Sequence, residues 1–209
     1  MAGGRARMSR AESQQRTREE VLNAAEDLFL TYGLHGTTVA KIAAAAGRTQ
    51  GAIYANFDSK ENLCAEVLLR CYMRTFTALL GKMAGSPGAL DRQLDSLVDW
   101  WKELIDDEST IALAAEYALA IHKNPVQLAV SQGHIEMARN MLGAALLTSL
   151  PSGVSAAQRE LVMNALLSTG VGVALGRTLG VVDSHEAGEL LIRTARLWLA
   201  DLATGDATV

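Results

Sequence analysis

The sequence predicts an all-α protein. Alanine and leucine are abundant in the 209 residues, aromatic residues make up 5%, and there are three prolines. Alanine and leucine favour helices, whereas sheets are built from β-branched and aromatic residues. Apolar residues also recur at helical spacing, and we find no alternating pattern of useful length and no internal repeat. We therefore expect about nine helices.

The first three helices are expected near the N-terminus. Thr17 and Glu20 form a capping-box pattern ahead of an apolar stripe, and Gly33 is suited to end that helix in left-handed geometry. A second helix is expected over about Thr38–Ala46, and a short third one over about Thr49–Asn56.

Six further helices are separated by turns that proline and glycine mark. The segment from Thr110 is apolar nearly all round, so we expect it to be buried. The expected ranges are about Ser59–Lys82, Ala89–Asp107, Thr110–His122, Pro125–Leu150, Ala156–Leu179 and Ser184–Leu202.

Bulk properties exclude several classes of protein. No stretch approaches 18 uninterrupted apolar residues, and no apolar run follows the N-terminal arginines, so neither a membrane span nor a signal peptide is expected. On a helix, Cys64 and Cys71 would lie about 10 Å apart, too far for a disulfide. We find no nucleophile–base pair, no phosphate-binding glycine loop and no metal-ligand cluster. The expectation is a cytoplasmic protein that is not an enzyme and uses no cofactor or metal.

The second and third helices form a helix-turn-helix pattern. Ile53 faces the core, and the rest of the third helix is small or polar, as suits a helix that enters a major groove. Gly51 costs about 1 kcal/mol inside a helix relative to alanine. Either a close backbone approach to a partner explains this glycine, or it lies in a frayed first turn where the cost is small.

Two runs at fixed spacing make the pattern specific. Gly36–Ala43 (GTTVAKIA) and Ala46–Leu63 (AGRTQGAIYANFDSKENL) closely resemble the TetR family of bacterial transcription regulators, and the match extends over about Thr17–Leu68. The resemblance implies an all-helical homodimer. Its expected parts are a flexible basic arm (1–15), a helix-turn-helix DNA-binding domain (16–62) and an effector-binding and dimerisation domain (63–209).

The resemblance also implies the DNA contacts. Gln50 is the first choice for reading a base, because glutamine can pair with two atoms of adenine. Thr49 and Ala52 share that face, beside Gly51. The residues expected at phosphates are Thr38, Tyr54, Asn56 and Lys60.

Two positions depart from the family pattern. Arg48 stands where an apolar residue is common, and it either reaches a guanine or a phosphate or is simply solvated. Asn56 stands where histidine or tyrosine is frequent, so no relative's operator sequence can be borrowed. The arm Met1–Gln15 carries three arginines and one acid. It is expected to be disordered without DNA, and either enters a minor groove or only aids solubility.

The C-terminal two thirds is expected to hold a mostly apolar effector. The helix after Pro125 has an apolar arc of about half its circumference, wider than one packing face requires. Each candidate pocket residue also fits an ordinary core or edge position, and His134 is read first as a core histidine. The candidates are Trp101, Tyr117, His122, His134, Met137 and Met141.

The last two helices are candidates for dimerisation. Gly172, Gly176 and Gly180 recur every four residues, which permits close helix approach, and the final helix has an apolar side. Two helices from each subunit would form a four-helix interface, with packing inside one chain as the alternative. The expected interface residues are Gly172, Gly176, Leu190, Leu191, Thr194, Leu197 and Trp198.

The resemblance thus implies a ligand-responsive repressor that binds a palindrome as a dimer. A transcriptional activator of the same fold, or a helical small-molecule carrier without DNA binding, are the alternatives. The formal net charge of −4 does not exclude DNA. Basic residues outnumber acidic ones up to Lys60, and the segment Thr37–Phe57 contains no acid. DNA affinity should therefore depend strongly on salt.

Overall fold

The computed structural model describes residues 9–84, 90–147 and 154–204. Within these ranges all regular structure is α-helical, which confirms the predicted fold class and helix number. The helices are α1 (Arg10–Gly36), α2 (Val39–Ala45), α3 (Gln50–Tyr54), α4 (Lys60–Ala84), α5 (Leu90–Asp106), α6 (Glu108–Ile121), α7 (Pro125–Leu147), α8 (Ala156–Thr178) and α9 (Ser184–Thr204). We call α1–α3 the head and α4–α9 the body.

The predicted start of α1 was wrong. The helix begins at Arg10, because the Ser9 hydroxyl accepts from the Glu12 N–H and the Glu12 carboxylate accepts from the Ser9 N–H at 2.7 Å. Thr17 lies inside the helix, where its hydroxyl donates to the Ser13 carbonyl. Residues 10–15, expected in the flexible arm, are therefore helical, and residues 1–8 lie outside the described residues.

The helical conformation of α1 is interrupted at Gly33, where the sequence predicted a left-handed end of the helix. Gly33 has φ +72° and ψ 176°, so its φ is positive as predicted, but the residue is not in the left-handed helical conformation. The chain continues to Gly36, and the buried Thr37 hydroxyl donates to the Leu28 carbonyl at 3.1 Å. Threonine side chains then cap the two helices that follow, Thr38 at α2 and Thr49 at α3.

One buried cluster joins the head to the body. Phe29, Ile42 and Ile53 pack from α1, α2 and α3, together with residues of α4 and with Leu113 and Tyr117 of α6. The head therefore shares its core with two helices of the body. This shared core makes the position of α6 relevant to the position of the helix-turn-helix.

The expectation that α6 is buried all round was wrong. Ile111, Leu113 and Ile121 are buried, but Ala112 and Leu119 are exposed, Leu119 by 72%. Helix α6 packs against α1, α4, α7 and α8. Its remaining apolar face therefore lies on the surface, beyond these neighbours.

Helix α8 is long and apolar enough to cross a membrane by composition, with a mean hydropathy of 1.2 over 18 residues. The sequence analysis expected no such helix. A packed helix of a helical bundle meets the same test, and α8 packs against α6, α7 and α9. A single helix of this kind is weak evidence for a membrane span.

Candidate nucleic-acid interface

Helix α3 presents a polar surface on an apolar base. Ile53 and, just after the helix, Phe57 are each 2% exposed, so they fix the helix to the core. On the other side, Gln50 and Gly51 are exposed and Tyr54 is 55% exposed, while Ala52 is partly buried. The Thr49 hydroxyl accepts from the Ala52 N–H at 3.1 Å, which defines the start of the helix.

Gly51 is not required by packing within the chain. A Cβ at this position would have only the Thr49 hydroxyl oxygen near it, at 3.8 Å. Gly51 also lies in the first turn of α3, where its helix cost is small. The glycine therefore leaves space in front of α3 that the described residues of this chain do not use.

Arg18 of α1 holds the C-terminal end of α3, a role that the sequence analysis missed. Its guanidinium donates to the Asn56 carbonyl at 3.0 Å, forms an ion pair with Glu66 of α4, and lies 4.5 Å from the centroid of the Phe57 ring. These contacts link α1, α3 and α4. An arginine with one acidic partner 48 residues away gives no local sequence signal.

Arg48 is bound to an acidic residue of α1, so it is not simply solvated. Its guanidinium forms an ion pair with Glu20 of α1, in which Nε donates to the carboxylate at 2.9 Å. Glu20 also accepts from Arg16 at 3.0 Å. The hydrogen bonds from Arg48, and then those from Arg16, lower the pKa of Glu20. This ion pair is a third arrangement, different from the two expected from the sequence.

Lys60 and Asn56 are engaged inside the protein, although both were expected at phosphates. The Lys60 ammonium donates to the carbonyls of Leu34 at 2.8 Å and Thr37 at 3.2 Å. The Asn56 amide donates to the Ala52 carbonyl at 2.8 Å. Thr38 is exposed and its hydroxyl accepts from the Lys41 N–H, which leaves it at the surface beside the Lys60 site.

A cleft lies where the head meets the body. It has a volume of about 340 Å³ between α1 and α6, and Phe29, Tyr32, Ser109 and Glu116 are among its lining residues. None of the six predicted effector residues lines it. The carboxylate of Glu116 accepts from the backbone of the loop that leads to α2.

The predicted effector residues do not form one group. Trp101 and Met141 pack on the same cluster as Trp100. Tyr117 belongs instead to the cluster shared with the head. Of the others, His134 is partly buried, whereas His122 and Met137 are exposed.

Three polar atoms in these clusters are buried without a hydrogen-bond partner among the described residues. They are the indole nitrogens of Trp100 and Trp101 and the hydroxyl of Tyr117. Trp100 is only 9% exposed, and the sequence analysis left it out of the candidate set. An unpaired buried donor costs about 1–3 kcal/mol, so such groups favour an acceptor in their surroundings.

The predicted dimer residues differ in their exposure. Leu190 and Leu197 are 45% and 65% exposed, and Gly172 is also exposed. Leu191 is 5% exposed, so it packs in the core of its own chain, and little of its side chain is left for contact with a second subunit. Trp198 packs against the cluster that contains Val162, Leu166 and Ala195.

The remaining two are partly buried. Gly176 lies against Val182, and Thr194 is on α9 between the buried and exposed sides. Val171 and Leu175 of α8, which were not among the predicted residues, are also apolar and are 60% and 41% exposed. Apolar side chains at one helical turn's spacing are the signal that could have found them.

Comparison with known proteins now identifies the family. Residues 21–67 match the family model of bacterial regulatory proteins of the tetR family. The HTH-type transcriptional repressor KstR2 of Rhodococcus jostii (strain RHA1) is 34% identical over 110 residues, which cover 53% of this chain and 50% of the repressor. The HTH-type transcriptional repressor AcnR of Corynebacterium jeikeium (strain K411) is 34% identical over 84 residues, 39% of this chain and 43% of the repressor. The chain thus matches about half or less of the length of these curated relatives.

Solved structures extend the likeness beyond the head. The crystal structure of a TetR-family regulator from Mesorhizobium loti has a TM-score of 0.66 at 16% identity, and the match covers 92% of this chain and 98% of that one. At this identity the likeness shows the fold alone. The head matches by sequence and the whole chain by fold, and together these matches support the TetR family of bacterial regulatory proteins as the family of this chain.

Proposed function

We propose that the chain is a DNA-binding transcriptional regulator. In this proposal it is a repressor that binds a palindromic operator as a homodimer and is released by a small, largely apolar effector. The observation that carries the proposal is the surface of α3, which is exposed, free of acids and held at its far end by Arg18. The curated relatives named as repressors support the direction of regulation.

The residues of this surface that were expected at DNA have the following proposed contacts. Gln50 reads a base, with Thr49 and Ala52 beside it, and the open space at Gly51 admits the DNA closely. Tyr54 and Thr38 donate to phosphates. These assignments rest on the family pattern and on the exposure of the side chains.

The basic residues act differently from the contacts first expected. Arg48 leaves Glu20 and joins the DNA surface when the duplex binds. Lys60 acts through the loop that it holds, because its ammonium binds the carbonyls of Leu34 and Thr37 next to Thr38. Asn56 stabilises the end of α3 through its bond to Ala52.

The dimer forms through α8 and α9 of each subunit. Val171, Leu175, Leu190 and Leu197 supply exposed apolar surface on these helices, and the small Gly172 permits close approach. Two such helix pairs form a four-helix interface of twofold symmetry. In this arrangement residues 63–209 form the effector-binding and dimerisation domain, and residues 16–62 bind DNA.

The effector binds in the body near Trp100, Trp101 and Met141. The two unpaired indole N–H groups favour a molecule that carries a hydrogen-bond acceptor, such as a carbonyl or an ether oxygen. Methionines allow the cluster to adapt to such a molecule. His122, His134, Met137 and Tyr117 are proposed only as outer members of the set.

A selection from randomised duplex DNA tests the DNA-binding proposal. We expect the dimer to enrich a palindrome, with half-sites about one helical turn apart. Tyr54→Phe should weaken binding across sequences, whereas Gln50→Ala should weaken it and relax preference at one position. Tyr32→Phe is the matched control, because Tyr32 is equally exposed, at 59%, and lies on α1.

The proposal fails if the selected pool shows no preference for palindromic over random DNA. It also fails if Tyr32→Phe and Tyr54→Phe have equal effects. A reporter gene behind the selected sequence, compared with and without the protein, distinguishes a repressor from an activator.

A further inference from the structure

An acidic residue of the body binds the backbone of the loop between α1 and α2. Glu116, in the third turn of α6, accepts hydrogen bonds from the backbone N–H groups of Leu34 at 2.9 Å and His35 at 3.2 Å. Gly33, with φ +72°, turns the backbone so that these successive N–H groups point to one carboxylate. Two successive backbone N–H groups at a turn form a concavity that binds an anion.

A basic residue of α4 binds carbonyl groups of the same loop. The Lys60 ammonium donates to the carbonyls of Leu34 and Thr37. Leu34 therefore has its N–H bound by a carboxylate of α6 and its carbonyl bound by an ammonium of α4. Its side chain is 1% exposed, so backbone hydrogen bonds and side-chain packing together hold this residue in place.

This loop determines where the DNA-binding helices begin. The loop ends at Thr37, which is buried, and Thr38, which caps α2. Apolar packing between α1 and α6, for example Phe29 with Leu113 in the shared cluster, is non-directional and tolerates sliding. Hydrogen bonds from Glu116 are directional, so they tie a shift of α6 to a shift of the loop.

We propose that Glu116 is the positioning residue by which α6 sets the orientation of the head relative to the body. The inference rests on the proposed function, since head orientation matters for DNA only when two heads must match two half-sites. Glu116 acts through the loop and touches no DNA. Loss of its carboxylate leaves the head folded on its core but broadens the range of its orientations.

Two measurements test the inference with a matched set of variants. Glu116→Ala removes the acceptor, and Glu116→Gln keeps an oxygen that can accept both hydrogen bonds. Glu108→Ala is the control, because Glu108 lines the same cleft but is 67% exposed and pairs with Arg177 at 3.6 Å. Thermal unfolding of each variant identifies any general loss of stability.

The first measurement is affinity for the selected palindrome and for palindromes whose half-sites are moved by one or two base pairs. For Glu116→Ala we expect the affinity for DNA to fall about tenfold at the preferred spacing and less than about twofold at the other spacings. The reason is that the head orientation that fits the preferred spacing becomes a smaller fraction of the ensemble. Glu116→Gln and Glu108→Ala should keep the preference of the unchanged protein. An equal loss at every spacing, or no loss, overturns the inference.

The second measurement needs neither an operator nor a dimer. Spin labels at Ala44→Cys in α2 and Asn140→Cys in α7 report the head-to-body distance when labelled chains are diluted with unlabelled ones. Both positions are exposed, whereas Cys64 and Cys71 are buried. We expect a broader distance distribution for Glu116→Ala alone, and an unchanged width overturns the inference. If no palindrome is enriched, the proposed function fails while this distance still tests the role of Glu116.

Discussion

The carboxylate of Glu116 lies in the space that a Cβ atom on Gly33 would need. Such a Cβ would be in contact with Oε1, 2.8 Å from Oε2 and 3.0 Å from Cδ of Glu116. Gly33 also has φ +72°, which side chains disfavour. A glycine is therefore required here both for its conformation and for the approach of α6.

Gly33→Ala should lower the free energy of unfolding by about 2 kcal/mol or more, because strain and a clash with Glu116 add together. Gly180→Ala is the comparison without a clash, since Gly180 also has a positive φ, +70°, and no described atom lies within 4 Å of a built Cβ. We expect about 1 kcal/mol for that change. Urea unfolding of the two variants measures the difference.

A double variant separates the clash from the strain. In the Glu116→Ala background, Gly33→Ala should cost less than in the unchanged protein, because the clash is gone and only the backbone strain remains. Equal losses for Gly33→Ala with and without Glu116 would contradict the steric argument.

Gly170→Ala should destabilise the body by about 1–3 kcal/mol through overpacking. A Cβ on Gly170 of α8 would lie 2.7 and 2.8 Å from Cη2 and Cζ2 of Trp101 on α5. Gly133→Ala in α7 is the control, because no described atom lies within 4 Å of its Cβ position, and it should leave stability unchanged or raise it slightly. Thermal unfolding of both variants checks this, and a loss in Gly133→Ala as large as in Gly170→Ala would count against the contact with Trp101.

Most helix boundaries could be predicted because glycine, proline and capping residues act locally. Gly33 breaks the helical conformation where its position predicted, with a positive φ, and Thr38 and Thr49 cap α2 and α3. The start of α1 was missed because the Ser9–Glu12 capping box precedes residues without an apolar stripe. The stripe begins only near Val21, so apolar periodicity identified the buried part of the helix and not its start.

The side-chain contacts of the interface could not be predicted from spacing. Arg48 and Glu20 are 28 residues apart, and Lys60 and Leu34 are 26 apart. Whether such groups meet depends on how α1, α3 and α4 pack, which no local pattern specifies. The exposed positions of α3 could be predicted because Ile53 is the only large aliphatic side chain of this short helix, so its other faces must point to solvent or to a partner.

Stability should fall as the pH rises above 9 because of Cys64. Burial, with a smaller effect of Glu116, raises the pKa of the Cys64 thiol to about 12 from 9.0. Between these values the unfolded chain loses the proton while the folded chain keeps it, so the stabilisation present below pH 9 is progressively lost. In Cys64→Ala the free energy of unfolding should fall less steeply with pH, by about 1 kcal/mol per pH unit less than in the unchanged protein.

Urea unfolding at pH 8, 9 and 10 measures both proteins. The pH dependence of stability that remains in Cys64→Ala reports other buried groups. Tyr72 is one of them, because burial raises its pKa to about 12. Parallel curves for the two proteins would contradict a contribution from Cys64.

Glu20→Gln should strengthen DNA binding by releasing Arg48. In the described chain the guanidinium is held by the Glu20 carboxylate, and that carboxylate adds a negative charge beside α3. A neutral amide holds Arg48 less strongly, so one more cation can meet a phosphate. The salt dependence of binding should then steepen by about one unit of log–log slope, as fluorescence anisotropy between 50 and 200 mM salt would measure.

Glu19→Gln is the control, because it removes the same charge from the same helix but Glu19 pairs with Arg70 at 3.7 Å. An equal gain in both variants would mean that only the net charge of α1 matters, whereas a gain confined to Glu20→Gln and abolished by Arg48→Ala assigns the effect to this ion pair.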